Sequence, residues 1–246
     1  MKNIDNFLVH LNNFENESSI AARYLFAEMA IQHGASKSKS LLKKLNETPT
    51  FWIVCNASLQ SSTYISIGRI FDKTSKYNID ELLISMEKNL HSFQLEALAN
   101  RKRDGKTEDP EWLKDYLKHA HVPIYKDIER LRNMVAKYRL IYERAIKPPR
   151  NKYLAHREKE DRVEVQALYA GGTIRELARL TTFLLKLHNA LWQQYYNGKK
   201  PTLRSLRHSV KSIYDAERQR SSPHELIVSD VKKLMQFIET ATPKHA

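Results

Sequence analysis

Residues 124–146, IYKDIERLRNMVAKYRLIYERAI, carry the clearest amphipathic pattern in the chain and decide its fold class. Apolar residues recur there at intervals of three and four, the period of one face of an α-helix. Pro123 precedes the stretch and Pro148 follows it, so the pattern predicts one helix between two prolines. The opposite face carries four cations, Lys126, Arg130, Lys137 and Arg144.

Similar patterns predict helices elsewhere in the chain. We expect helices over about residues 18–33, 51–71, 80–100 and 173–196. Ser18 or Ser19 is the predicted cap of the first. Residues 51–71 are apolar on most sides, which predicts a central, buried helix. Gly68 within that helix predicts the close approach of a neighbouring helix.

The composition agrees with a helical globular protein. The chain has 246 residues, of which 41% are hydrophobic and 28% charged, and this composition argues against a disordered chain. It has only 6 glycines and 8 prolines, too few for many tight β-turns. The predicted fold is an all-α, up-and-down helical bundle over residues 1–198, with an additional C-terminal helical extension over residues 199–246.

The chain is strongly basic. Lys and Arg number 41 against 28 Asp and Glu, which gives a net charge of +13. Such a charge attracts polyanions, although a solvated lysine-rich surface that binds nothing is the alternative. The basic clusters that would guide RNA lie in a predicted loop and in the tail. They are Arg101, Lys102, Arg103, Lys199, Lys200, Arg204 and Arg207.

Other features indicate a cytoplasmic protein. Cys55 is the only cysteine, so an intrachain disulfide is excluded. The first residues lack the apolar core of a signal peptide. No apolar stretch approaches the roughly 20 residues that cross a bilayer. We therefore expect no membrane association.

Residues 150–158, RNKYLAHRE, bring together groups that suit phosphodiester chemistry. His156 can move a proton near neutral pH, and Arg150 can stabilise charge on phosphate oxygens. Cleavage by the 2′-hydroxyl of RNA needs no metal, and the pair His119 and His121 makes no convincing metal site. The alternative is an ordinary basic helix. The same spacing recurs between Arg218 and His224, so spacing alone proves little.

The geometry of a helix constrains such a site. Residues six apart lie about 120° apart around the axis and about 9 Å along it. Lys152 and His156, four apart, share a face. Arg150 must therefore reach around the helix, or a second copy of the chain must complete the site at a two-fold axis.

The motif resembles that of HEPN proteins (higher eukaryotes and prokaryotes nucleotide-binding), in which four to six residues separate Arg from His. RNKYLAHRE is most similar to the abortive-infection, AbiU-type branch. Residues 51–83 resemble the same branch, with its long helix ending in an Arg-x-x-Asp segment, here Arg69 to Asp72. The resemblance covers roughly residues 20–195.

This resemblance implies a homodimeric, metal-independent endoribonuclease of toxin or phage-defence type, without a cofactor and with RNA as its substrate. An antitoxin protein is a further partner to expect. Arg150 and His156 would be catalytic, and Asn151 would be the polar residue after the arginine. Lys152, Glu158 and Asp72 would support the site. Glu158 replaces a tyrosine that some relatives carry, which argues against regulation through that tyrosine.

Three functions remain open on the sequence. The first is the RNA-cleaving enzyme. The second is a non-catalytic basic helical module that binds RNA or nucleotides with strong salt dependence. The third is a protein-interaction scaffold whose charge is incidental.

Overall fold

The computed structural model describes residues 6–105, 108–155, 171–203, 209–215 and 222–241, with residues 153–155 described by their backbone alone. These residues form helices joined by short turns, and no strand occurs among them. The predicted all-α helical bundle is confirmed. Within these ranges, no helix is long and apolar enough to span a lipid bilayer.

Ten α-helices are numbered here along the described ranges. They are α1 Asn6–Lys37, α2 Lys39–Leu45, α3 Pro49–Phe71, α4 Ile79–Lys88, α5 Leu95–Arg103, α6 Leu113–Lys118, α7 Tyr125–Ala145, α8 Ile174–Asn197, α9 Val210–Asp215 and α10 Pro223–Thr240. A 3₁₀ helix, Leu90–Phe93, separates α4 from α5. After α7, a helical turn at Lys147–Pro149 continues into a π-helical turn at Arg150–Ala155.

Helix α1 lies at the centre of the bundle and packs against α3, α4, α8 and α10. It begins at Asn6, well before Ser18, so the prediction that Ser18 caps this helix is wrong. The Ser18 hydroxyl donates to the Phe14 carbonyl at 2.7 Å, four residues earlier, so it is satisfied inside the helix and caps nothing. A central position also explains why α1 buries apolar residues on more than one face.

Helix α3 differs most from its predicted environment. Its second half is buried, as expected for a core helix. Its first turns are not: Phe51, Ile53 and Val54 are 62%, 67% and 59% exposed. The predicted burial of the whole helix is therefore wrong. Apolar composition alone does not identify the part of a helix that neighbouring helices cover.

The predicted helix over residues 80–100 is interrupted. Asn89 ends α4, and its side-chain amide donates to the Ser85 carbonyl at 2.7 Å. Such a local hydrogen bond offers the backbone an alternative to continuing the helix. The following 3₁₀ helix then turns Phe93 into the core, where its ring meets that of Phe7 edge-on.

The C-terminal helix α10 shares the core of the bundle. Val228 and Met235 belong to the same buried apolar cluster as Phe26 of α1. The boundary between a domain ending at residue 198 and a separate extension stays a prediction.

Helices α3 and α7 end side by side. Phe71, the last residue of α3, stacks on Tyr142 near the end of α7, with ring centroids 5.2 Å apart. Tyr142 is buried in this stack. The packing brings the residues after α3 next to the turn that carries Arg150.

Candidate functional site around Arg150

The motif begins on a turn that the two prolines shape. Pro148 and Pro149 lie in the first helical turn after α7, where a missing backbone N–H costs little. The Arg150 amide donates to the Ile146 carbonyl at 3.0 Å. A wider π-helical turn follows. Such turns are rare in proteins, and those that occur often lie at functional sites. His156 and Glu158, the predicted catalytic and supporting residues of this motif, lie outside the described residues.

Arg150 is held in one position by three oxygen atoms. Its Nη1 donates to Asp72 Oδ2 at 2.8 Å and to Asn151 Oδ1 at 3.3 Å, and it lies 3.5 Å from the Tyr142 hydroxyl. The Arg150 and Asp72 side chains are 19% and 25% exposed, so this ion pair is partly shielded from solvent. The structure thus brings together three predicted site residues, Arg150, Asn151 and Asp72. Lys152 lies exposed on the same turn.

Asp72 is itself fixed by the loop that follows α3. Its Oδ1 accepts hydrogen bonds from the Thr74 backbone amide at 3.0 Å and from the Thr74 hydroxyl at 2.8 Å. Burial works to raise the pKa of the Asp72 carboxyl, but the bonds from Thr74 and Arg150 outweigh it and hold this pKa below its ordinary value. Asp72 is therefore a carboxylate at neutral pH and a permanent partner for Arg150.

Gly68 makes room for the arginine. A Cβ atom at position 68 would lie 2.4 Å from both Cδ and Nε of Arg150, far inside van der Waals contact. The predicted close approach at Gly68 is thus confirmed, but the group that approaches is a side chain of the motif turn and not a helix backbone. Only glycine lets the Arg150 side chain lie flat against α3.

A second arginine braces the end of α3. Arg139 of α7 donates through Nη1 to the Phe71 carbonyl at 2.8 Å, and its Nη2 lies 2.7 Å from both oxygens of Asp80. These bonds tie α7 to the end of α3 and the start of α4. Burial raises the pKa of Tyr142, so its hydroxyl stays protonated at neutral pH. It can then hydrogen-bond but not act as a base.

The arrangement can bind an anion. A guanidinium has five N–H donors, and the hydrogen bonds that Arg150 makes in the described part of the chain all use Nη1. Nη2 therefore has donors left for a phosphate group, whereas Nε lies against Gly68 of α3. A pre-positioned arginine stabilises charge in a transition state without having to reorganise.

The predicted basic cluster of residues 101–103 is not a free loop. These residues form the last turn of α5, because the helix continues to Arg103. Arg101 lies over the Tyr195 ring at 4.1 Å, Lys102 donates to Asn197 Oδ1 at 2.7 Å, and Arg103 pairs with Asp109. Their cations already have partners within the protein, which weakens their prediction as RNA contacts.

The remaining predicted cations and histidines lie away from Arg150. Lys199 and Lys200 follow α8 and are exposed, while Arg204 and Arg207 lie outside the described residues. His119 follows α6, and His121 Nε2 lies 2.7 Å from Asp127 Oδ2. No group of three or more His, Cys, Asp or Glu residues able to hold a metal occurs in the ranges that the structure describes.

A match over most of the chain now decides the family. A family model of the HEPN protein AbiU2 matches residues 4–218. The chain belongs to the AbiU2 family of HEPN proteins. The predicted superfamily and abortive-infection branch are thereby confirmed, and the match includes both Asp72 and Arg150. No curated protein and no solved structure matches the chain.

Two residues of the site, Tyr142 and Thr74, are not among the residues predicted from the sequence. Tyr142 lies on the apolar face of residues 124–146, and the sequence gives no sign that its hydroxyl reaches Arg150. Thr74 could have been found, because Asp-x-Thr is a pattern in which the carboxylate accepts bonds from the residue two positions later.

Proposed function

We propose that this AbiU2-family chain is a metal-independent endoribonuclease of toxin or phage-defence type, with Arg150 and His156 as its catalytic pair. The observation that carries the proposal is the position of Arg150, fixed by Asp72 with donors left for a phosphate group. Membership of an abortive-infection HEPN family supports the same chemistry. Asn151 shares in holding Arg150, and Lys152 and Glu158 are proposed to support the site.

The proposed reaction uses the RNA's own 2′-oxygen as nucleophile. A bond forms between this oxygen and the adjacent phosphorus, and the bond from phosphorus to the 5′-oxygen breaks. The products are a 2′,3′-cyclic phosphate and a 5′-hydroxyl. His156 transfers a proton, because imidazole titrates near neutral pH. Arg150 stabilises the charge that builds on the non-bridging phosphate oxygens.

This reaction needs both a base and an acid. One base takes the proton of the 2′-hydroxyl, and one acid supplies a proton to the leaving 5′-oxygen. The motif offers one histidine, which performs one of these transfers at a time. A homodimer supplies the second His156, so we place the complete site between two copies of the chain.

The outer face of α3 suits this second copy. Its exposed residues Phe51, Ile53 and Val54 form an apolar surface at the start of the helix. Ile65, also exposed at 38%, follows Val54 three helical turns later on the same side. The next exposed position, Arg69, adjoins Gly68 beneath Arg150. A partner on this face would therefore reach the neighbourhood of the site.

Charge favours a second copy as the occupant. Residues 49–68 contain no charged side chain, whereas the whole chain carries a net charge of +13. Two such copies repel each other least where neither presents a charge, and an RNA chain would prefer a basic surface. Exposed apolar side chains in adjacent turns are also what homodimer interfaces bury.

Light scattering on Val54→Glu tests the dimer. We expect the unaltered chain to be dimeric and Val54→Glu to be monomeric, because a carboxylate would be buried in the interface. Leu140→Glu is the matched control, since Leu140 of α7 is 67% exposed and lies on another helix. A monomeric unaltered chain would refute the dimer, as would a dimer that Val54→Glu leaves intact.

The proposed function is tested by cleavage of total cellular RNA, including tRNA, in excess chelator. We expect the unaltered chain and the control His91→Ala, which changes an exposed histidine of the 3₁₀ helix, to leave 2′,3′-cyclic ends. His156→Ala should lose about 10²-fold or more of this activity, the usual contribution of a general acid or base. Equal cleavage by all three proteins would refute the assigned site.

A non-catalytic RNA-binding module is the second candidate, and the net charge of +13 favours it. It predicts that no variant cleaves RNA while all bind it, with an affinity that falls steeply with salt. That result would replace the enzymatic proposal. An antitoxin partner remains an expectation from the family and would be sought by adding the neighbouring gene product to the same assay.

A further inference from the structure

Helix α8 presents a polar stripe opposite its buried leucines. Six residues spaced by three, four or seven positions lie on this side, which places them in one row along the helix. They are Arg175, Arg179, Lys186, Asn189, Gln193 and Asn197. The row holds three cations and three amides and no carboxylate. It extends about 33 Å, since each helical residue adds about 1.5 Å.

Two adjacent cavities open along this stripe. The first, of about 1080 Å³, lies between α1, α7 and α8, and Arg175, Arg179 and Lys186 line it. The second, of about 720 Å³, lies at the end of α8, where Lys186, Lys199 and Lys200 line it. Because Lys186 borders both, the cavities form one continuous surface, which we call the α8 groove.

The α8 groove is positive and lacks internal neutralisation. No Asp or Glu from the described ranges lines either cavity. The nearest acid on α8, Glu176, already pairs with Arg144. Arg175, Arg179 and Lys186 make no ion pair within the part of the chain that the structure describes. Burial lowers the pKa of Lys186, as expected for a cation that has lost water without gaining a carboxylate.

The first cavity also has an apolar floor that suits a nucleobase. The half-buried Tyr138 stacks on the buried Phe183 with ring centroids 3.9 Å apart, so Tyr138 presents the accessible ring, and Met29 and Met134 also line this cavity. An unpaired base outside a duplex has a free face that can stack on such a surface, whereas neighbouring bases cover both faces of a base within a duplex. The chemistry of the groove therefore fits a phosphate backbone with unpaired bases.

The groove starts beside the proposed active site. Gly172, just before α8, packs against Ala145, and a Cβ atom at position 172 would lie 2.3 Å from the Ala145 Cβ. Ala145 is the last residue of α7, and the helical turn that contains the two prolines connects it to Arg150. A strand of RNA along α8 would thus arrive at the motif turn.

We propose that the α8 groove binds single-stranded RNA, with the backbone along Arg175, Arg179 and Lys186 and a base in the first cavity. This inference rests on the proposed function in taking RNA as the anion. It adds the path of the substrate and predicts a preference for unpaired over duplex RNA. It is tested by binding, so that it can fail or succeed apart from catalysis.

The test measures fluorescence anisotropy of a labelled twelve-nucleotide single-stranded RNA over a range of salt, with every protein carrying His156→Ala so that the RNA stays intact. The groove variant combines Arg175→Gln, Arg179→Gln and Lys186→Gln. The control variant makes the same change in charge at three exposed cations of α1 and α2, through Arg23→Gln, Lys39→Gln and Lys43→Gln.

We expect the groove variant to bind RNA about tenfold more weakly or worse. The slope of log affinity against log salt should become shallower by about 2, because each of three lost phosphate contacts on a single strand contributes about 0.7. The control variant should bind within about twofold of its parent. Equal weakening of both variants would overturn the proposal, because overall charge would then account for binding. Equally tight binding of a blunt duplex would also overturn it.

Cleavage separates this inference from the proposed function. With His156 present, the groove variant should raise KM for a single-stranded substrate and leave kcat nearly unchanged. Groove-dependent binding without any cleavage by the unaltered chain would keep the groove and refute the enzyme. Cleavage whose KM is indifferent to the groove variant would keep the enzyme and refute the groove.

Discussion

Replacement of Gly68 by alanine displaces Arg150 without removing it. The new Cβ would lie 2.4 Å from Cδ and Nε of Arg150, where ordinary carbon contacts are about 3.5–4.0 Å. The arginine side chain must therefore move by more than about 1 Å. We expect this displacement to break its bond to Asp72, which is 2.8 Å long. We expect kcat for RNA cleavage to fall about 10²-fold, the effect of a 1 Å misplacement of a catalytic group.

The stability of this variant should change little. Alanine is about 0.8–1.0 kcal/mol more favourable than glycine inside a helix. The lost Arg150–Asp72 bond costs about 1–2 kcal/mol, since the pair is only partly buried. The two changes nearly offset each other. Thermal unfolding followed by circular dichroism should therefore place Tm within a few degrees of the unaltered chain.

Gly34→Ala is the matched control for this change. It makes the same substitution inside α1, where the new Cβ would meet the Tyr214 hydroxyl at 2.8 Å, and Tyr214 makes no contact with Arg150. We expect normal single-turnover cleavage from Gly34→Ala. Full kcat in a folded Gly68→Ala protein would refute the argument that the position of Arg150 against α3 matters for catalysis.

Three other changes have outcomes that the structure predicts. Gly172→Ala should lower the free energy of unfolding by about 1–3 kcal/mol in a urea titration, because its Cβ would meet the side chain and backbone of Ala145 and neither can turn away. Asp72→Asn should lower kcat about tenfold and reduce stability, and its effects should not add to those of Arg150→Lys in a double-mutant cycle, since both act on one bond. Burial lowers the pKa of His188, so below about pH 6.5 the unfolded chain binds more protons than the folded chain. The free energy of unfolding should therefore decline as pH falls from 7 to 5. His188→Gln should flatten this decline in urea titrations over the same pH range.

The sequence by itself determined which segments are helical where the signals are local. Helix α8 begins at its capping box, in which Thr173 Oγ1 accepts from the Glu176 amide at 3.2 Å, and it ends at Gly198 in the left-handed conformation. Helix α7 follows the period of residues 124–146. Each signal depends on residues within a turn or two of one another, so it can be read without the rest of the fold. The motif at Arg150 likewise identified the family.

Only the tertiary structure decided which of these residues meet. Arg150 and Asp72 are 78 positions apart, and no local pattern states that their side chains form an ion pair. The same packing gave Arg101 the Tyr195 ring as a partner and left Phe51 in solvent. Contacts of this kind depend on which helix faces are brought together. The period of a sequence shows that a face is apolar, but the arrangement of all the helices determines whether another helix covers it.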